Sequence, residues 1–399
     1  MTGRERVVRA LKHQEADKIP IDLGATESSG ITAMACNVLK RHLGIDSPTR
    51  VYDLGQLVCL VEPALMAVAQ ADAAPVLVGP REWRPWSLPD GSPALVPATA
   101  RIEPTDNGYQ LLSPSGIPVA HCPRGGWYFD SISHPLEGAA TVADLEAGRQ
   151  FCESFDLPFY CDQSWEEVGR QARRLFRETD YALVGNLWVH LLAAGADLRG
   201  YENFLIDLAS DKQMAHRFLS QQVESYLPRI DSFLQALGEY VQVIQVNDDL
   251  GSQQAPLISP ELYREMIKPY HGKLWRYIKE KSGKFLLLHS CGSIYELIPD
   301  LIDLGIDALN PVQVSAANMD TGRLKREFGR QLTFWGGGCD TQTVLRRGSV
   351  AEVREEVSRR IDDLADGGGF VFCPVHNIQP DVPPQNILAM YEEANSFHY

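Results

Sequence analysis

The sequence predicts an α/β protein folded as a (β/α)8 barrel, or TIM barrel, with residues 1–399 forming a single domain. Three observations carry this expectation. Eight short apolar runs alternate with helical patterns along the chain, as a closed parallel barrel requires. Polar residues gather just after those runs, at the strand ends where barrels of this kind carry their sites. One stretch near 80–135 breaks the alternation with closely spaced turn signals, and reads as an antiparallel β-hairpin insertion. A doubly wound open sheet is the competing arrangement.

Taken in order, residues 2–13 and 28–42 have helical periodicity, and "KIPIDLG" between them is the first strand candidate. Residues 55–71 read as a further helix leading into "APVLVG". The insertion follows, rich in Pro, Gly and aromatic residues. Its Trp83, Trp86, Trp127 and Tyr128 suit a lid or a docking surface, because aromatic clusters mark interfaces. A small core for the hairpins themselves accounts for them equally well. After a linker near 136–160 come "YALVGNLW", "VQVIQVNDD", "FLLLHS", "IDALNP", "LTFWGGG" and "FVFCP", most of them followed by a helical pattern.

The composition bounds the partners. At 44% hydrophobic and 22% charged the chain is ordinary globular material, and its net charge of −15 argues against nucleic acid or an anionic membrane, both of which would repel it. The N-terminal stretch carries charges throughout, and no apolar run is long enough to span a bilayer, so a soluble cytoplasmic protein is expected. The eight cysteines form no CxxC pair and read as reduced thiols, one or two of them recruited as ligands.

The strand ends name the candidate site. "VNDD" carries Asp248 and Asp249, "NPVQ" carries Asn310 and Gln313, "GGGCDTQ" carries Cys339, Asp340 and Gln342, and "PVHNIQPD" carries His376, Asn377 and Gln379. For any one of these alone a helix cap is the better reading; together with the "HSC" end, five strand ends in a row point to a site. The pair His289 and Cys291 in "FLLLHSCGS" is the most specific feature, because residues two apart on a strand face the same way. A catalytic zinc takes about three protein ligands and leaves a fourth position open. His289 and Cys291 supply two, and either His376 or Cys339 qualifies as the third. A buried core imidazole and a small apolar thiol are the structural alternative for the pair. Cys36, Cys59, Cys152 and Cys161 fall in or beside helical patterns and read as packing, as does Cys373 within "FVFCP".

Several segments, among them "DDLGSQQAPLISPELYREMIKPY", "LLLHSCGSIYELIPDLIDLGIDALNPVQ" and "PDVPPQNILAMYEEA", resemble the uroporphyrinogen decarboxylase superfamily, and within it the corrinoid-dependent methyltransferases. The resemblance covers nearly the whole chain outside the insertion, and it too implies a (β/α)8 barrel. Decarboxylases of the superfamily carry an arginine-rich stretch after the first strand, to hold a tetrapyrrole with many carboxylates. The corresponding segment here, "IDLGATESSGITAM", has no arginine. The methyltransferases hold zinc through an HxC pair and a later ligand, usually a Cys upstream of the Asn of a "PxxN". The position that matches, counted back from Asn386 in "PPQN", is His376, a departure from the pattern.

The resemblance therefore implies a zinc-dependent enzyme moving a methyl group between a small methylated or methoxylated substrate and the cobalt of a corrinoid (cobalamin) carried on a separate corrinoid protein. This chain has no DxHxxG motif for a corrinoid of its own. In that reading Asp249 and Asp340 are catalytic. Asp248, Gln253, Asn310, Gln313, Trp335, Gln342, Asn377 and Gln379 bind substrate, with Trp335 stacking on an aromatic ring. The rivals are a metal-free decarboxylase anchored on Asp248 or Asp249, and an idle barrel that serves as an accessory to a corrinoid protein.

Overall fold

A computed structural model describes the backbone of residues 1–152 and 159–399, and it has the expected barrel. Seven parallel strands lie side by side in chain order: β1 (Ala73–Val76), β2 (Ala182–Asn186), β3 (Val243–Asn247), β4 (Phe285–His289), β5 (Ala308–Asn310), β6 (Thr333–Trp335) and β7 (Phe370–Val371). The eighth position is filled by Pro20–Asp22 of "KIPIDLG". The Asp22 amide donates to the Phe372 carbonyl at 2.8 Å, the Phe372 amide to the Pro20 carbonyl at 2.8 Å, and the Asp72 amide to the Ile21 carbonyl at 2.7 Å. The segment thus bridges β7 and β1 and closes the ring. Its pairing is short because Pro20 has no N–H to give.

Alternation along the strands sets the interior. Ala182 and Val184 on β2, Val243 on β3, Leu287 on β4, Ala308 on β5 and Trp335 on β6 pack together inside the barrel. Val7, Ala10 and Leu11 of the first helix, Gly3–Leu11, join the same cluster and plug its N-terminal end. Continuing the period of two, the next inward residues are Asn186, Gln245, Asn247, His289 and Asn310. A dry apolar floor therefore gives way to a polar layer at the C-terminal mouth.

The insertion is as expected: a hairpin, Trp83–Ser87 with Pro93–Pro97, and a four-stranded antiparallel sheet from Arg101–Thr105 to Asp130–Ser131. Trp86 meets Tyr109 edge-on at 5.4 Å and Phe129 at 6.4 Å, so it belongs to the insertion's own core. Tyr128 instead reaches the barrel rim, its hydroxyl donating to Gln379 Oε1 at 2.6 Å.

Three local expectations are corrected. The helix expected over 28–42 starts only at Ala33, because residues 25–32 form a loop in which Asp22, Thr26 and Ser29 side chains cap backbone amides. The helix expected over 55–71 is confined to Pro63–Ala69, behind a ribbon that pairs Val51–Asp53 with Val58–Cys59. Pro63 fits the first helical turn, where no N–H is needed. The expected linker contains a helix, Val142–Cys152, and its residues 153–158 lie outside the described ones. No helix among the described residues is long and apolar enough to cross a membrane.

Candidate metal centre at the barrel mouth

Strand β4 delivers His289 at its last residue, and the chain turns at once. Gly292 has φ +89, and an added Cβ would sit 2.4 Å from the Gly251 carbonyl oxygen, so only glycine lets the two loops lie this close. That turn brings Cys291 Sγ to 3.6 Å from His289 Nε2. His376, from the loop after β7, completes a group whose ligand atoms all lie within 4.8 Å of one another, each on a partly buried residue. Zinc–ligand bonds of about 2.0–2.3 Å place neighbouring ligands roughly 3.5 Å apart. The donor set fits a zinc with one position left open.

The surroundings prepare each ligand. His289 Nδ1 lies 2.8 Å from Asn310 Oδ1. The Asn310 amide is oriented by donating its own N–H to the Trp335 carbonyl at 2.9 Å, which leaves Oδ1 to accept. The His289 proton therefore sits on Nδ1, and Nε2 has a lone pair for a metal. Burial, with the adjacent His289 ring, pushes the His376 imidazole down to about 4, so it stays neutral and metal-ready at physiological pH. Burial and the neighbouring Asp249 carboxylate hold the Cys291 thiol well above its ordinary value. Asp249 also accepts the Cys291 backbone N–H at 2.8 Å and lies 3.7 Å from His289 Nε2. It flanks the cluster from the solvent side.

The other predicted residues divide. Gln313, Gln253 and Gln342 form a ladder over the mouth. Gln342 accepts from Gln253 at 3.1 Å, Gln253 accepts from Gln313 at 3.0 Å, and Gln313 accepts the Gly292 N–H at 2.7 Å. Asn377 donates to Gln56 at 2.8 Å and accepts from Gln379, tying the His376 loop to the rim and, through Tyr128, to the insertion.

Four of the predicted residues are engaged by other partners. Cys339 is fully buried and turns to Glu356 at 3.6 Å, away from the cluster. Asp340 caps its own loop, accepting from the Gln342 amide at 2.9 Å and from the Thr343 hydroxyl. Trp335 belongs to the barrel interior, its indole N–H donating to Asp22 at 2.8 Å, so it has no free face for a substrate ring. Asp248 accepts three amides, from Leu191, Leu192 and Ala193, and pairs with His271 at 2.8 Å. Its oxygens are consumed inside the protein, as the capping alternative foresaw.

The structure adds residues to which sequence reasoning gave no site role. Glu27, Asn186 and Gln245 are buried in the polar layer, and burial, assisted by Asp53, raises the Glu27 carboxyl to about 7. Period-two counting from Val243 would have found Gln245. Glu27 comes from an irregular loop and had no such signal.

With the site in view, comparison with known proteins places the chain. The family model described as uroporphyrinogen decarboxylase (URO-D) matches residues 189–397, half of the chain and the part that carries all three cluster residues. The chain belongs to the uroporphyrinogen decarboxylase family. Curated URO-D relatives are distant. A uroporphyrinogen decarboxylase of Legionella pneumophila (strain Lens) is 20% identical over 201 residues, 50% of this chain and 53% of its own length. Another, of Pseudomonas syringae pv. syringae (strain B728a), is 24% identical over 288 residues, 68% of this chain and 75% of its own. Among solved structures, a methyltransferase from Methanosarcina mazei matches with TM-score 0.61 and 19% identity, over 100% of this chain and 99% of that one, which shows a shared fold.

Proposed function

We propose that this URO-D family protein is a zinc-dependent methyltransferase that moves a methyl group between a small methylated or methoxylated substrate and a corrinoid carried by a partner protein. The observation that carries the reading is the convergence of His289, Cys291 and His376 from two strand ends. A decarboxylase has no use for such a set. The M. mazei protein of the same fold, named a methyltransferase, is consistent with it. The name of the curated relatives favours decarboxylation. Against that, the residues found around the cluster and in the layer below it are Glu27, Asp53, Asp249, Asn and Gln, a poor receptacle for a polyanionic tetrapyrrole.

Zinc on these ligands would supply a Lewis acid for the heteroatom that bears the methyl group, and two neutral imidazoles with one thiolate would leave it at net +1. The chain's own part is to prepare the donors. Asn310 holds the His289 proton on Nδ1. Asp249, beside Cys291, is placed to take the thiol proton when metal binds. The glutamine ladder of Gln313, Gln253 and Gln342 covers one side of the mouth and supplies amide groups to orient substrate.

The test combines metal analysis with methyl transfer. Protein purified without chelators should hold about one zinc per chain, lost in His376→Ala and kept in Cys339→Ala. Wild type mixed with cob(I)alamin and a panel of methoxylated aromatics, aminoalkyl methyl ethers, methylamines and methyl thioethers should form methylcobalamin, and Cys291→Ser should lose this by several orders of magnitude while remaining folded. Equal rates for the two on any accepted donor would sink the zinc mechanism. No transfer from the whole panel would favour the accessory barrel.

A further inference from the structure

Beneath the metal cluster lies a set of oxygen atoms without partners. Among the described residues, six buried side-chain atoms lack a hydrogen bond, and three belong together here: Glu27 Oε1, Asn186 Oδ1 and Gln245 Oε1. These residues are only 6%, 6% and 1% exposed. They are neighbours. Gln245 donates to Glu27 Oε2 at 3.4 Å, Asn186 pairs in register with Gln245 across β2 and β3, and Asn186 donates to the Ala25 carbonyl in the Glu27 loop at 3.3 Å. All three orphans are acceptors once Glu27 is ionised. A buried acceptor left unpaired is costly, and a native protein rarely keeps three in one place unless something arrives to satisfy them.

The position suits a substrate. Gln245 sits opposite Leu287, and His289 is two residues further along β4. Two strand residues span roughly 6.5 Å, so the acceptors form the layer directly below the metal ligands. The electrostatics select the ligand. Asp53 is the charged neighbour of Glu27, Tyr52 and Tyr160 lie within electrostatic reach of the same carboxyl, and among the described residues no Lys or Arg side chain bonds to any of the three. A primary ammonium brings three N–H donors and one positive charge, matching three acceptors on an anionic floor. Water would satisfy part of the hydrogen bonding and none of the charge. A hard divalent cation needs six or more oxygens, and both Asp53 oxygens are already held by the Gly55 and Gln56 amides.

We propose that Glu27, Asn186 and Gln245 form an ammonium-binding subsite one layer below the metal cluster, selecting substrates with a protonated amine separate from the methyl-bearing heteroatom. The subsite rests on the methyl-transfer reading only for where the methyl group sits, not for its own existence.

Titration calorimetry of 3-methoxypropylamine (as its ammonium salt) and its neutral isostere 1-methoxybutane tests this, on zinc-loaded and on chelator-stripped protein. The ammonium compound should bind about tenfold or more tightly than the ether, as a charge-assisted hydrogen bond allows, in both preparations. The preference should shrink as the pH falls below about 7, where Glu27 takes up a proton. Glu27→Gln, a near-isosteric change, should erase the preference while zinc content stays that of wild type. Equal affinity for the two compounds, an unchanged preference in Glu27→Gln, or no heat from either would overturn the subsite. So would potassium chloride saturating the site and displacing the ammonium compound at equal concentration, which would make it a metal-cation site. If the preference is found but neither zinc nor methyl transfer is, the methyl-transfer reading falls and the subsite stands.

Discussion

Asn310 sets the tautomer of His289, through a chain that runs from the Trp335 carbonyl to Asn310 to the imidazole. Removing an oriented partner of this kind costs about 10–100-fold in metal affinity. Asn310→Ala should therefore weaken zinc binding by that factor in a chelator competition, and an unchanged affinity would assign His289 orientation to packing alone. Glu27 makes a second prediction at this scale. Its carboxyl rises from an ordinary value near 4.5 to about 7, chiefly through burial. The folded protein then keeps a proton that the unfolded chain has already lost between those pH values. Folding stability should fall as pH rises through this window, by roughly 3 kcal/mol in all from this group. Asp53, raised to about 6 by burial, acts in the same direction. Urea unfolding of wild type and Glu27→Gln from pH 5 to 8 should show a shallower decline in the variant; parallel profiles would mean Glu27 is ionised throughout.

Among the elements, Asp248 joins three that would otherwise be independent. It follows β3, caps the helix Leu192–Arg199 through three amides, and holds His271 of the helix Lys268–Ser282, whose ring stacks on Trp275 at 4.1 Å. Burial works against its charge, but His271 and the amides win and hold the carboxyl below its ordinary value. Its stabilising contribution is therefore present above about pH 4 and lost as pH falls through the lower folded value. Asp248→Asn should cost about 3–5 kcal/mol, because it leaves buried partners unmatched. It should do so without changing the ratio of zinc to folded protein. A stable variant with impaired zinc binding would instead place Asp248 in the site.

Across the whole molecule, the insertion is anchored at one rim of the barrel. Trp86 supplies its own core, and Tyr128 and the Phe129 amide tie it to Gln379 and to the Gly55 carbonyl. Trp127 is partly exposed and 5.9 Å from the Arg346 guanidinium, and under the proposed function it would meet the corrinoid protein. Trp127→Ala should raise KM for a corrinoid protein about tenfold or more, as loss of an aromatic interface anchor does, and leave transfer to free cobalamin unchanged. A parallel loss with both acceptors would make it part of the substrate pocket rather than a docking surface.

What the sequence determined by itself was the order of the strands and which of their residues face inward. Eight apolar runs became the barrel, and alternation aimed His289 inward above Leu287. The HxC spacing put His289 and Cys291 side by side, because spacing along one strand is a local property that survives folding, and the fold brings His376 to them as a candidate metal cluster. The tertiary structure decided which polar side chains at the strand ends face the mouth. Cys339, Asp340 and Asp248 carry the same chemical groups as the site residues and Trp335 an indole N–H, but Glu356, Thr343, His271 and Asp22 engage them first. Those partners lie from 3 to more than 300 positions away along the chain. Glu27 stayed hidden for the complementary reason: its significance lies in a missing partner, and a missing hydrogen bond exists only once burial has removed water from around the carboxylate.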